Sequence, residues 1–233
     1  MGEQTLNTKK LAAEKAVEYI EDGMCIGLGT GSTAYWAIQA IGKLVQQGLK
    51  VKAIATSKDS ESLAIELGIQ VVSFAEIDQL DITIDGADET DENLNVIKGG
   101  GGALVREKIV AAASRIYIII ADEKKLVPQL GAFPLPVEII QFGWEMTVRH
   151  LQKRGCKTDL RIRNNKPFIS DNGNYIIDCS FGKILQPELL HQQLNAIPGV
   201  VENGLFLRMA DLVILGESDG STKILPKITI SEI

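Results

Sequence analysis

Residues 81–108 read DITIDGADETDENLNVIKGGGGALVREK, and the expected fold is built outward from them. Ile82 and Ile84 alternate beside Thr83, so 81–84 reads as the end of a short buried strand. Asp85 then stands at the strand's C-terminal end, and Gly86 lets the backbone turn sharply. Asp85, Asp88 and Glu89 place three carboxylates within five residues. Val96 and Ile97 make a second apolar step, followed by Lys98 and the four glycines Gly99 to Gly102. A helix is expected from near Ala103, with Leu104, Lys108 and Ala111 on one side and Glu107 on its first or second turn. Acids, an ammonium, bare backbone amides and a helix N-terminus therefore meet where strands end.

That combination suggests a chemistry. Glycines let N–H groups approach a ligand closely, and a helix N-terminus favours negative charge. Lys98 adds a full positive charge. A carboxylate such as Glu107 beside these groups could remove a carbon-bound proton while the cationic pocket holds the oxyanion that forms. A general base alone supplies roughly 100- to 10,000-fold, whereas enzymes lower barriers by ~8 kcal/mol or more. Oriented dipoles and charge must provide the remainder, one oxyanion donor contributing ~3–4 kcal/mol. Each piece also has a plainer reading: a solvated turn at Asp85-Gly86, a flexible glycine connection, and a glutamate that complements the helix dipole. Convergence of the pieces within 23 residues favours a site.

Upstream, residues 8–22 read as a helix, with Ala13, Val17 and Ile20 on one face, Ala12 and Ala16 alongside, and Gly23 as the stop. Lys9 and Lys10 fall in its first turn, as solvated lysines or as cations reaching a phosphate. Met24 to Leu28 is a nearly unbroken apolar run, as in a strand covered on both faces. It leads into Gly29-Thr30-Gly31-Ser32-Thr33 and a helix bearing Ala34, Ile38, Ile41 and Val45. A strand, a polar glycine loop and a helix N-terminus form an arrangement that holds anions. The glycines fall short of a dinucleotide fingerprint and no GxxxxGK[ST] occurs, so a small phosphate on Ser32, Thr33 and nearby amides fits better. Val51 to Ala55, Ile69 to Phe74 and Ile116 to Ala121 read as further strands, with a helix from about Ser60 to Leu67 and one ending near Ser114. This alternation calls for a parallel sheet with helices on both faces, where ligands sit beyond the carboxyl ends of the strands. Loops 29–33, 85–89 and 122–125 all fall on that edge.

The rhythm changes after residue 130. Phe133-Pro134-Leu135-Pro136 reads as a rigid junction into Val137 to Ile140, followed by a helix from about Gly143 to Arg154 with Met146, His150 and Leu151 on one face. Thr158 to Ile162, Pro167 to Ser170 and Tyr175 to Cys179 look like strands, the last two joined as a hairpin through Asp171-Asn172-Gly173-Asn174. A helix around Pro187 to Ala196 follows, and Leu205 to Leu207 and Leu212 to Gly216 are strand-like. The expected division is an α/β unit of residues 1–130 with 205–233 and a smaller α+β unit of 131–204.

The chain has 233 residues, 45% hydrophobic and 23% charged, with net charge −6. Such a balance disfavours nucleic-acid partners and anionic membrane surfaces, and requires local cations to draw in an anionic substrate. Cys25, Cys156 and Cys179 are odd in number and form no CxxC, which favours a reduced, cytoplasmic setting, with Cys25 in the core. His150 and His191 have no ligand-like spacing, so no metal site is expected. The N-terminus is polar and the richest apolar run has strand length, so no signal peptide or membrane span is read.

GTGST at 29–33, DGADE at 85–89, KGGGGAL at 98–104, REK at 106–108 and FPLPVE at 133–138 closely resemble the type A family of ribose-5-phosphate isomerases. The resemblance runs through almost the whole chain, including Ile197-Pro198-Gly199-Val200 and Gly204-Leu205-Phe206. It implies a Rossmann-like parallel sheet flanked by helices with a smaller α+β domain, assembled as a homodimer or homotetramer. It implies interconversion of D-ribose 5-phosphate and D-ribulose 5-phosphate in the pentose phosphate pathway, with no metal or organic cofactor. By motif, Glu107 is the base shuttling a proton between C2 and C1, and Asp85, Asp88 and Lys98 serve ring opening, proton movement and the enediolate. Thr30, Gly31, Ser32, Thr33, Gly86, Ala87, Gly99, Gly100, Gly101 and Lys125 match substrate-contacting positions. Gly102, where some relatives carry alanine, is a mild departure. Two other functions stay in view: a non-catalytic sugar-phosphate sensor, for which no basic DNA-binding segment is seen, and acyl or CoA transfer through a glutamyl intermediate.

Overall fold

The computed structural model describes residues 7–227. The outer ends of the expected α/β unit, residues 1–6 and 228–233, lie outside the described residues, as does the start of the polar N-terminus. Helix α1 (Thr8–Val17) leads to β1 (Cys25–Leu28), α2 (Ala34–Gln46), β2 (Lys52–Ala55), α3 (Lys58–Glu66), β3 (Gln70–Val71) and β4 (Leu80–Gly86). Two short strands, β5 (Glu89–Thr90) and β6 (Val96–Ile97), precede α4 (Leu104–Ala112) and the long β7 (Ser114–Asp122). Then come β8 (Leu135–Ile139), α5 (Trp144–Gln152), β9 (Lys157–Leu160), β10 (Ile162–Arg163), β11 (Lys166–Pro167), β12 (Tyr175–Ser180) and α6 (Pro187–Asn195). The chain closes through β13 (Val200–Asn203), β14 (Leu205–Phe206), β15 (Leu212–Gly216) and β16 (Thr222–Pro226).

The main sheet has the order β16-β15-β7-β4-β1-β2-β3 and is parallel except for β16. Its central strands are isoleucine-rich because both faces are covered. Ile82, Ile84, Ile118 and Ile120 pack under α1 and α2 with Ala13, Ala16, Ile38 and Ile41. On the opposite face, Tyr117, Ile119 and Val213 pack with Phe206. A second sheet, β13-β8-β12-β9, is antiparallel and buries Leu135, Val137, Ile139, Ile177 and Cys179 against Leu151 and Leu194. The three-stranded β14-β6-β5 joins the two, since Leu205 and Phe206 pair with Ile97 and Val96.

Several expectations change. Helix α1 stops at Val17, because Gly23 N–H bonds Lys50 O at 2.7 Å and Asp22 Oδ1 takes Lys50 N–H, which docks 18–23 on the loop before β2. Only Gln70 and Val71 of the strand expected at 69–74 pair; Phe74–Glu76 coils into a 3₁₀ turn held by Glu76 Oε1 on Ser73 N–H. The FPLP segment is part of a strand: Leu135 and Pro136 begin β8, and Pro136 O accepts Gly204 N–H. Helix α5 buries Thr147 and Leu151, with Trp144 and Val148 packed against the same core, whereas Met146 and His150 are exposed. The ladder expected at 167–179 shrinks to one bridge, Ile169 to Tyr175, and a hairpin forms at β10–β11 through Asn164 and Asn165, both at positive φ. Strand β16 was not expected, and Cys25 is only half-buried.

Candidate active site

Strand β4 delivers Asp85 to the carboxyl edge of the sheet, where its side chain is fully enclosed. Asp85 Oδ1 accepts from Thr30 N–H at 3.1 Å, Gly86 N–H at 2.7 Å and Lys98 Nζ at 2.9 Å, and Oδ2 accepts from Tyr117 OH at 3.3 Å. Lys98, just beyond β6, is also buried, and its Nζ donates to Gly86 O and to Glu107 Oε1 at 3.0 Å. Glu107 projects inward from the first turn of α4 on the buried side with Leu104, Val110 and Ala111. Its second oxygen, Oε2, is buried without a hydrogen-bond partner.

One buried ammonium between two carboxylates sets the electrostatics. Burial opposes the Lys98 charge, but Asp85 and Glu107 outweigh it and hold the ammonium above its ordinary range. Burial pushes the Glu107 carboxyl up, Lys98 pulls it down and Asp85 adds to the rise, which together leave it at about 8. Burial, and then Asp85, keep the Tyr117 phenol protonated far above its usual range.

Lys98 and Glu107 open onto a cavity of about 110 Å³. Its wall brings together Thr30, Gly31, Ser32, Thr33, Gly86, Ala87, Gly99, Gly100, Gly101 and Lys125, the positions expected to contact substrate, with Asp88 among them. Asp85 is off that wall and touches Lys98 instead. Asp88 is on it, with Oδ2 accepting the Gly100 N–H at 2.7 Å. A β-carbon at Gly100 would stand 2.5 Å from Asp88 Oδ1, so any side chain there would displace the Asp88 carboxylate. Thr30 turns its hydroxyl away into a cluster with Thr56 at 2.7 Å and Ser57 at 2.8 Å. Ser32 and Thr33 sit at the start of α2, and Lys9 reaches across to Ser32 Oγ at 2.9 Å and lines the cavity. Lys10 instead pairs with Glu14 at 3.6 Å. Among the described residues, no group of three or more His, Cys, Asp or Glu side chains comes together as a metal site.

Two neighbours escaped the sequence reading. Tyr117 is the one hydroxyl inside the apolar run of β7, and a buried hydroxyl needs a partner, which was a usable signal. Arg161 bonds the carbonyls of Gly99 and Gly100, residues more than 60 positions away, and nothing local to it announces that contact.

The family described as ribose 5-phosphate isomerase A (phosphoriboisomerase A) matches residues 52–220 of this chain. The chain belongs to that family. Among relatives named ribose-5-phosphate isomerase A, one from Bacillus mycoides is 56% identical over 92% of this chain and 98% of its own length. Another, from Listeria innocua, is 47% identical over 95% of this chain and 100% of its own. The ribose 5-phosphate isomerase structure from Plasmodium falciparum superposes with a TM-score of 0.92 at 43% identity, covering 95% of this chain and 98% of that one. A structure described as D-ribose-5-phosphate isomerase in complex with phospho-erythronic acid superposes at 0.90 with 42% identity, over 94% of this chain and 99% of that one.

Proposed function

We propose that this chain interconverts D-ribose 5-phosphate and D-ribulose 5-phosphate through an enediolate, with Glu107 as the base. The observation that carries the reading is Glu107 itself: one carboxylate oxygen on Lys98, the other unpartnered, and the residue on the wall of a polar cavity. The family's name gives the sugar, and the relative bound to phospho-erythronic acid, a sugar-acid phosphate, supports an anionic ligand of this kind.

In this mechanism the open-chain aldose lies with C2 over Glu107 and O1 toward Lys98. Glu107 removes the C2 hydrogen as a proton, the C1 oxygen takes up the negative charge, and the same carboxyl returns the proton to C1. Lys98 and the glycine-loop amides hold the enediolate oxygens, in the manner of an oxyanion hole. Asp88, on the cavity wall, moves protons between the sugar hydroxyls and assists ring opening. Asp85, off the wall, keeps Lys98 charged and aimed. The phosphate lies at Ser32, Thr33 and the start of α2, with Lys9 and Lys125 countering its charge. No cofactor enters any step.

We further propose the division into units at residues 131–204 and a homodimer or homotetramer in the cytoplasm. A coupled assay of ketose formation from ribose 5-phosphate tests the activity. Wild type should convert the sugar and Lys98→Met should lose most of the rate. Binding without any turnover by wild type would instead support a sensor, and a trapped glutamyl ester would support acyl transfer.

A further inference from the structure

Arg161 lies in the smaller unit, between β9 and β10, yet its side chain reaches the glycine loop of the candidate site. Nη1 donates to Gly99 O at 2.7 Å and Gly100 O at 3.2 Å. The rest of the fork grips Asp178, with Nε on Oδ2 at 3.0 Å and Nη2 on Oδ1. The backbone is pinned too: Arg161 N–H bonds Ile176 O at 2.9 Å, and its carbonyl takes Phe168 N–H at 2.8 Å. Asp178 already balances the charge, so the two bonds to main-chain carbonyls call for a separate reason.

Peptide geometry supplies one. In a trans peptide the carbonyl and the next residue's N–H point to opposite sides, and no described peptide is cis. Holding the Gly99 and Gly100 carbonyls on one guanidinium therefore turns the Gly100 and Gly101 N–H groups the other way. The Gly100 N–H goes to Asp88, and both glycines line the cavity. The Gly102 N–H closes a turn onto Gly99 O at 2.9 Å, but no main-chain donor takes Gly100 O among the described bonds, and glycine backbones populate many conformations at little cost, so the guanidinium supplies the second hold. A charged donor on the carbonyl side also polarises each peptide and strengthens its N–H.

We propose that Arg161, braced by Asp178, is a positioning residue that fixes the Gly99–Gly100 and Gly100–Gly101 peptides so that the Gly100 N–H holds Asp88 in place and the Gly101 N–H faces the developing anion. This rests on the isomerase reading above. A lysine cannot replace it, because a single ammonium does not offer the planar fork that holds Asp178 and two carbonyls together.

The test uses Arg161→Ala and Arg161→Lys, assayed on ribose 5-phosphate with and without millimolar guanidinium chloride. Both variants should lose about tenfold or more in kcat while KM moves less than about threefold, as expected when alignment rather than binding is lost. Guanidinium should restore much of the rate to Arg161→Ala and none to Lys98→Met. Near-wild-type kcat in folded Arg161→Lys, or no rescue of folded Arg161→Ala, overturns the proposal; if the alanine variant does not fold, the lysine variant decides. Deuterium exchange of segment 98–104 reads the clamp without turnover. It should speed up in Arg161→Lys relative to wild type, and unchanged exchange overturns the clamp. A wild type that exchanges as expected but makes no ketose defeats the isomerase reading alone.

Discussion

Glu107 combines an ammonium at 3.0 Å with a carboxyl held up to about 8, because burial outweighs the attraction of Lys98. Only the ionised form can act as a base, so kcat/KM should rise with pH toward about 8 in a pH–rate profile. The stability effect has the opposite sign. The folded chain keeps a proton that the unfolded chain releases near the ordinary value of 4.5, so this group's contribution is complete below that pH and is lost as pH rises to about 8. Glu107→Gln does not titrate there, and its melting temperature relative to wild type should climb across that window and then level. A gap that stays flat would place the Glu107 pKa in the ordinary range. Tyr117→Phe removes one donor from buried Asp85 and should cost about 1 kcal/mol by denaturant titration. At this scale the motif residues were legible because strand ends and a glycine run announce themselves. The distinction between Asp85, enclosed beside Lys98, and Asp88, on the wall, was not, because both sit in the same five-residue string.

Helix α4 carries Glu107 and is tied down from the loop between β11 and β12. Arg106 donates through Nε to Asn172 Oδ1 at 3.0 Å and through Nη2 to Asp171 O at 3.0 Å. The turn holding those acceptors is organised by buried Glu138, whose Oε1 takes Ser170 Oγ, Asn172 Nδ2 and Asn174 Nδ2 at 2.9, 3.1 and 2.8 Å. Glu138→Ala would strand these donors, and a loss of about 1–3 kcal/mol is expected in thermal or urea unfolding. No measurable loss would mean the main-chain bonds between Ser170 and Asn174 and the Ser170 hydroxyl hold the turn without Glu138. Gly102 shows why element-level reading has limits. The residue reads only as a mild departure from the motif, yet φ is +86° and a β-carbon would stand 2.3 Å from the Phe168 ring, so this chain's glycine is matched to its own phenylalanine. On helix α5 the expected face of Met146, His150 and Leu151 holds only at Leu151, whose buried companion is Thr147, while Met146 and His150 are exposed. Periodicity marks a helix well and its buried side less well when polar and apolar residues share both sides.

At the scale of the molecule, the parallel sheet and the shared edge of the three polar loops were readable because doubly covered strands must be continuously apolar. The antiparallel edge β16 was not, as Thr222–Pro226 is mostly exposed and carries neither a clean alternation nor an apolar run. The β14-β6 pairing joins segments over 100 residues apart, and it stations Phe206 with Lys98 above its ring at 5.7 Å and Lys108 at 4.8 Å. Sedimentation equilibrium checks the proposed assembly, with a mass two or four times that of the chain as the expected outcome and a monomer at micromolar concentration as the contrary one. The central claim is proton transfer at carbon by Glu107, and it is tested most directly by incubating ribose 5-phosphate with the protein in D₂O and following C1 and C2 by NMR. Wild type should place solvent deuterium in the sugar as ketose forms, while Glu107→Gln should slow both by roughly 100- to 10,000-fold. Deuterium entering at the wild-type rate with Glu107→Gln would contradict it.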